Sequence, residues 1–161
     1  MPKISPCLWF DGNAEEAVGF YVSLLPDSHI LRVQRNVIDG PGGKAGTVLV
    51  IEFELAGRPF LAVNGGRPFE YTPALSLTIE CETQAEVDRF WAGLAASGGE
   101  PVQCGWLRDR YGISWQVVPS ALPRLLGDAD PAKTARVMRA MLGMVKLDIA
   151  ALEAAARGED A

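Results

Sequence analysis

The chain has 161 residues, enough for one domain or for two small modules sharing a core. Hydrophobic residues make up 48% and charged residues 22%, the balance of a folded globular protein rather than a disordered one. A net charge of −5 disfavours duplex nucleic acid as a partner, and no apolar run approaches the roughly 20 residues of a membrane helix. The N-terminal residues lack the apolar core of a signal peptide. Cys7, Cys81 and Cys104 are odd in number and widely spaced, which argues against a disulfide framework and a cysteine-based zinc site. A cytoplasmic protein with reduced thiols is expected.

Residues 4–10 read as a strand, with Trp9 and Phe10 supplying β preference. Residues 13–25 read as a helix with Ala14, Ala17, Val18, Tyr21 and Leu25 on one stripe. Asn13 is its expected N-cap, with Glu16 completing a capping box. Residues 28–36 form a strand, and the glycine- and proline-rich segment 39–43 a loop. In the strand over 47–55, Leu49, Ile51, Phe53 and Leu55 point one way and Val48, Val50, Glu52 and Glu54 the other. A turn at 56–58 leads to a short strand over 60–64, closed by Gly65 and Gly66.

The pattern then restarts. Residues 74–81 form a strand, and Thr83 to Glu86 is a capping box opening a helix to about Ser97. Val87, Phe90, Trp91 and Leu94 are its expected buried stripe, and Gly98 and Gly99 stop it. Strands follow over 100–107 and 113–118, joined by a turn that Asp109 favours. The two helical segments match in patterning and aromatic ending about 70 residues apart, too long a period for a solenoid and suited to a duplicated module. Residues 119–126, 131–142 and 145–157 are helical, with Val137, Met138, Met141 and Leu142 on one stripe. That tail either packs on the sheet or covers a partner subunit or a pocket mouth.

Three segments carry a family resemblance: Leu8 to Ala17 with Phe20 and Tyr21, Phe60 to Gly66, and Cys104 to Gln116. With two β-α-β-β-β modules they make the chain resemble the vicinal oxygen chelate superfamily of glyoxalase and bleomycin-resistance proteins. More narrowly, it resembles the PhnB-like or 3-demethylubiquinone-9 3-methyltransferase family. The segment from Arg136 to Leu152 is similar to the tail of one branch. The expected class is α+β, with modules over 1–68 and 69–120 in a single domain and a helical tail over 121–161. The resemblance implies curved sheets enclosing a cleft between modules, and a homodimer. Metal-using members place His and Glu on four inward strand positions. Here those positions fall near Ser5, in Ala62 to Asn64, near Ala74 and on Gln116, so no metal and no other cofactor is expected.

Several side chains are candidates for chemistry. Glu52 and Glu54 are i and i+2 neighbours about 6–7 Å apart on one strand face. They are candidate general bases if that face lines the cleft, and a wetted sheet surface if it meets solvent. Asn64 and Gln116 can orient a ligand by hydrogen bonds, and Trp9 and Trp106 can wall an apolar pocket. By alternation Trp9 shares a face with Ser5 and Cys7, while Trp115 opposes Gln116 and belongs to the core. His29, the single histidine, reads as an exposed or capping residue, and Cys104 lacks the neighbouring base a nucleophilic thiol needs.

A nucleotide-type cofactor fold needs a glycine-rich turn from strand to helix, and segments 41–46 and 64–66 each precede a strand instead. The expected function is metal-free binding of a small molecule. The alternatives are an enzyme using Glu52 or Glu54 as base and a DNA-associated regulator, which the charge disfavours.

Overall fold

The computed structural model describes residues 3–159. It divides into two compact units, Met1–Glu70 and Tyr71–Ala161. The first runs β1 (Cys7–Phe10), α1 (Ala14–Leu24), β2 (His29–Arg35), β3 (Val48–Leu55) and β4 (Arg58–Asn64). Its sheet has the order β1-β4-β3-β2, with β1 parallel to β4 and the other pairs antiparallel. The second repeats the plan as β5 (Ser76–Cys81), α2 (Gln84–Ala95), β6 (Glu100–Pro101), β7 (Trp106–Arg108) and β8 (Ser114–Pro119). Its order is β5-β8-β7-β6, with β5 parallel to β8. Two α+β units of β-α-β-β-β form are therefore present, as expected.

Alternation sorts each sheet into two faces. In the first unit, Leu8, Phe10, Ile51, Phe53, Leu55, Phe60 and Ala62 are buried on the side of α1, which offers Ala14, Ala17, Val18 and Tyr21. In the second, Ile79, Cys81, Leu107, Trp115 and Val117 are buried with Val87, Phe90 and Leu94 of α2. Truncating one of these large side chains, Phe53 for example, costs about 3–5 kcal/mol through lost transfer energy and the cavity left behind.

The long strand expected over 100–107 is split. Cys104 and Gly105 both take left-handed backbone angles, φ 57° and 81°, which breaks the extended run between β6 and β7.

Helix α2 starts as expected, with Glu86 N–H donating to Thr83 Oγ1 at 3.2 Å and Glu86 Oε2 accepting from Glu82 N–H at 2.7 Å. Helix α1 does not. The Asn13 side chain makes no capping bond, and the first-turn N–H of Ala14 donates to Asn64 Oδ1 at 3.1 Å. A residue from the end of β4 thus does the work expected of the local cap.

Three further helices, α3 (Ala121–Leu126), α4 (Pro131–Leu142) and α5 (Ile149–Arg157), belong to the second unit. Leu122, Leu125, Val137, Leu147, Leu152 and Ala156 form their core, with Val118, Met141 and Met144 packed against it. Met138 and Leu142 of the expected α4 stripe turn outward instead, 46% and 58% exposed. Helix α5 starts later than expected because Asp148 caps it, accepting from Ala151 N–H at 2.8 Å. Among the described residues, no helix is long and apolar enough to cross a membrane.

Candidate functional site

The face of each sheet turned away from its own helix, the far face, carries most of the expected site residues. In the first unit the register aligns Trp9 with Val63 and Val50, and Cys7 with Leu61 and Glu52. Trp9 is held in place on three sides. Its Nε1 donates to Arg67 O at 2.7 Å, Phe69 meets its ring edge-on at 5.1 Å, and Gly65 lies directly beneath it. A Cβ at position 65 would sit 1.7 Å from Trp9 Cζ2, so glycine is the residue that lets the indole lie down. The Arg67 guanidinium in turn covers the Phe69 ring at 4.6 Å.

Asn64 is turned the other way. It is 4% exposed on the helix side, where Oδ1 accepts from Ala14 N–H and Nδ2 donates to Val48 O at 3.0 Å. The expectation that Asn64 offers its amide to a ligand beside Trp9 is therefore corrected: odd and even strand positions face opposite ways, and this amide is occupied by backbone. It borders a cavity of about 420 Å³ with Gly12, Glu15, Arg35 and Thr47.

Glu52 and Glu54 lie on the far face, beside Arg32 and His29 of β2. Glu52 Oε1 accepts from Arg32 Nε at 2.9 Å and from Arg32 Nη2, with its side chain 18% exposed. The same pair holds the Arg32 guanidinium above its ordinary value. Glu54 Oε2 lies 3.6 Å from His29 Nε2. Proton abstraction by Glu52 would have to compete with a two-donor guanidinium.

In the second unit, Thr78, Gln116 and Trp106 form one register row on the far face, and Ser76, Ser114 and Arg108 form the next. Gln116 Nε2 donates to Ser76 Oγ at 2.9 Å, which leaves its Oε1 able to accept. Arg108 pairs with Glu100 at 2.7 Å at the edge of the sheet. Trp115 lies in the core as its alternation requires, its Nε1 donating to Asp109 Oδ2 at 2.8 Å. Asp109 is 2% exposed and also accepts from Tyr111 N–H at 2.8 Å and Ile113 N–H at 3.0 Å. It is the hub of the β7–β8 turn, one step beyond the turn preference visible in the sequence. Ser76, Thr78 and Ser114 were not among the sequence candidates, because only the strand register brings them beside Gln116.

Cys104 is half-buried, and Cys7 is exposed with its thiol pushed up by partial burial. The superfamily metal site does not fit these side chains. The matched positions offer a hydroxyl at Ser5, apolar Ala62 and Val63 with the committed amide of Asn64, a methyl at Ala74 and the amide of Gln116, none of them an anionic or imidazole donor. Among the described residues, no group of three His, Cys, Asp or Glu could hold a metal ion. The tail has a groove of about 490 Å³ between α4 and α5, floored by Ala140, Ala151 and Ala155 and remote in sequence from these rows.

The model of the 3-demethylubiquinone-9 3-methyltransferase family matches residues 2–118. A Bacillus cereus protein named for PhnB and for that methyltransferase is 38% identical, over 73% of this chain and 99% of its own, with a TM-score of 0.67. Protein PA1353 from Pseudomonas aeruginosa is 20% identical, over 74% of this chain and 98% of its own, with a TM-score of 0.61. The fosfomycin resistance protein FosX from Listeria monocytogenes, complexed with Mn(II) and sulfate, is 14% identical, over 78% and 96%, with a TM-score of 0.52. The last two show the fold alone. No curated protein matches the chain. The matched residues and the paired β-α-β-β-β units lead to one conclusion: the chain belongs to the PhnB-like, 3-demethylubiquinone-9 3-methyltransferase family.

Proposed function

We propose that the chain binds a small, neutral, ring-containing molecule on its far faces without a metal. The observation that carries this is the row Thr78, Gln116 and Trp106, where an unpaired amide oxygen and a hydroxyl lie beside a half-buried indole. An indole supplies stacking area, and a few fixed polar groups supply orientation. Trp9, Cys7, Leu61 and Val63 offer a second, more apolar surface. A neutral ligand is favoured over a charged one, because Arg32 and Arg108 are already paired with Glu52 and Glu100 and the Arg67 guanidinium lies over the Phe69 ring. The chain is further proposed to act in the cytoplasm as a homodimer, with no nucleic-acid partner.

The test is a screen of neutral aromatic and heterocyclic fragments by tryptophan fluorescence and ligand-observed NMR. Gln116→Leu and Trp106→Leu should each weaken a hit at least tenfold, and Trp9→Phe should remove a signal that Trp115→Phe leaves intact. Hits indifferent to all of these changes, or no hits, would overturn the proposal. Sedimentation at micromolar concentration tests the dimer, and a 17 kDa species would refute it.

Catalysis is the second reading, favoured by the position of Glu52 on the far face beside Leu61 and Cys7. It predicts turnover lost in Glu52→Gln or Glu54→Gln. Methyl transfer from a nucleotide-type cofactor is no part of the proposal: Gly42 and Gly43 lie between β2 and β3, and β5 is the next element after Gly65 and Gly66.

A further inference from the structure

The C-terminal segment packs against the turn that precedes β7. The family model ends at residue 118, and the 38% identical relative covers 73% of this chain but 99% of its own. The segment from Met144 to Ile149 joins α4 to α5 and runs alongside the turn that precedes β7. Cys104 N–H donates to Met144 O at 2.9 Å, and Gly105 N–H to Val145 O at 2.8 Å. Both donors belong to left-handed residues, and cysteine rarely adopts that conformation.

There is no room for a side chain at Gly105. An added Cβ would lie 2.9 Å from Leu147 Cδ1 and 2.9 Å from Val117 O. Leu147 is fully buried in the tail core. The far end of the segment is tied to α2, with Gln84 Nε2 donating to Leu147 O at 3.2 Å and Ile149 N–H donating to Gln84 Oε1 at 2.9 Å. Lys146 pairs with Asp88 one turn further along α2. Trp106 follows Gly105 directly, and Gly105 O accepts from Val117 N–H at 2.8 Å, which enters Trp106 into the ladder opposite Gln116.

We infer that the Met144–Ile149 strap is a positioning element for Trp106, holding the Cys104–Gly105 turn in its left-handed form and so setting where the Trp106 indole lies beside Gln116. The inference rests on the reading of that row as a ligand surface. Leu147 and Gln84 are positioning residues that touch no ligand.

The experiment uses the full chain labelled with 5-fluorotryptophan. Its four ¹⁹F lines are assigned by single Trp→Phe changes. In Leu147→Ala the Trp106 line should move by more than its own width while the Trp9 line holds, and Leu147→Met should restore it. Gln84→Leu should move the same line in a chain whose tail core is intact, which keeps the test open if Leu147→Ala does not fold. If either variant melts at lower temperature with the Trp106 line unmoved, the strap only packs and the inference is overturned. The readout needs no ligand. The strap can therefore fail while the fragment screen succeeds, or hold while the screen fails.

Discussion

Replacing Gly65 with alanine isolates the contact that lays Trp9 on the far face. The backbone at 65 is not left-handed, so alanine meets no conformational penalty there. The penalty is steric. The new Cβ would stand 1.7 Å from Trp9 Cζ2 and 2.1 Å from Cη2, where ordinary contact begins at 3.4 Å. The indole must therefore retreat by roughly the same distance again, and a rigid ring cannot do so while Nε1 stays on Arg67 O. The lost hydrogen bond contributes about 0.5–1.5 kcal/mol and the lost edge contact with Phe69 a similar amount. Against this, alanine restricts the unfolded chain and returns about 0.4–1 kcal/mol. A net loss of about 1 kcal/mol follows at the centre of these ranges, with a moved Trp9 line in the fluorotryptophan spectrum. Urea unfolding with that spectrum is the assay. A Gly65→Ala chain as stable as the parent with Trp9 unmoved would refute the reasoning.

Three other outcomes follow from buried groups. Asp109→Ala leaves Tyr111 N–H, Ile113 N–H and Trp115 Nε1–H without their carboxylate and should cost about 3–5 kcal/mol in chemical denaturation; a loss under about 1 kcal/mol would dismiss the hub. Asn64→Ala should cost about 1–3 kcal/mol and speed amide exchange at Ala14, whereas Asn13→Ala should stay within about 0.5 kcal/mol; equal effects would reverse the capping assignment. Burial pushes the Cys81 thiol from 9.0 up to about 11, so the folded state prefers the neutral form. That stabilisation is complete below pH 9 and is lost as pH rises towards 11. The melting temperature of the parent should fall faster than that of Cys81→Ala across this window, and parallel curves would contradict it.

Local chemistry written along the chain was enough for the module plan. The stripe from Ala14 to Tyr21, the alternation from Leu49 to Leu55 and the Thr83–Glu86 box are each satisfied within a dozen residues, so neighbours in sequence determined them. The same holds for Trp115 in the core, since parity along a strand is a local property. The family too was legible in short segments.

What lay beyond reach was every contact whose partner is distant. Asn64 meets Ala14 fifty residues away, and nothing near Asn13 signals that its own capping bond is superseded. Ser76 joins Gln116 across forty residues, through a parallel register that hydrophobic pattern alone does not set. Arg32 reaches Glu52 across an antiparallel pair that contains bulges, so two glutamates legible as candidate bases stand beside an arginine and a histidine. The left-handed turn at Cys104 and Gly105 and the strap that accepts its N–H groups are forty residues apart. Sequence periodicity determines which face a side chain joins, because that depends on its own backbone. Tertiary structure alone decides what waits on that face, because each buried donor and acceptor takes its partner from wherever the packed chain brings one.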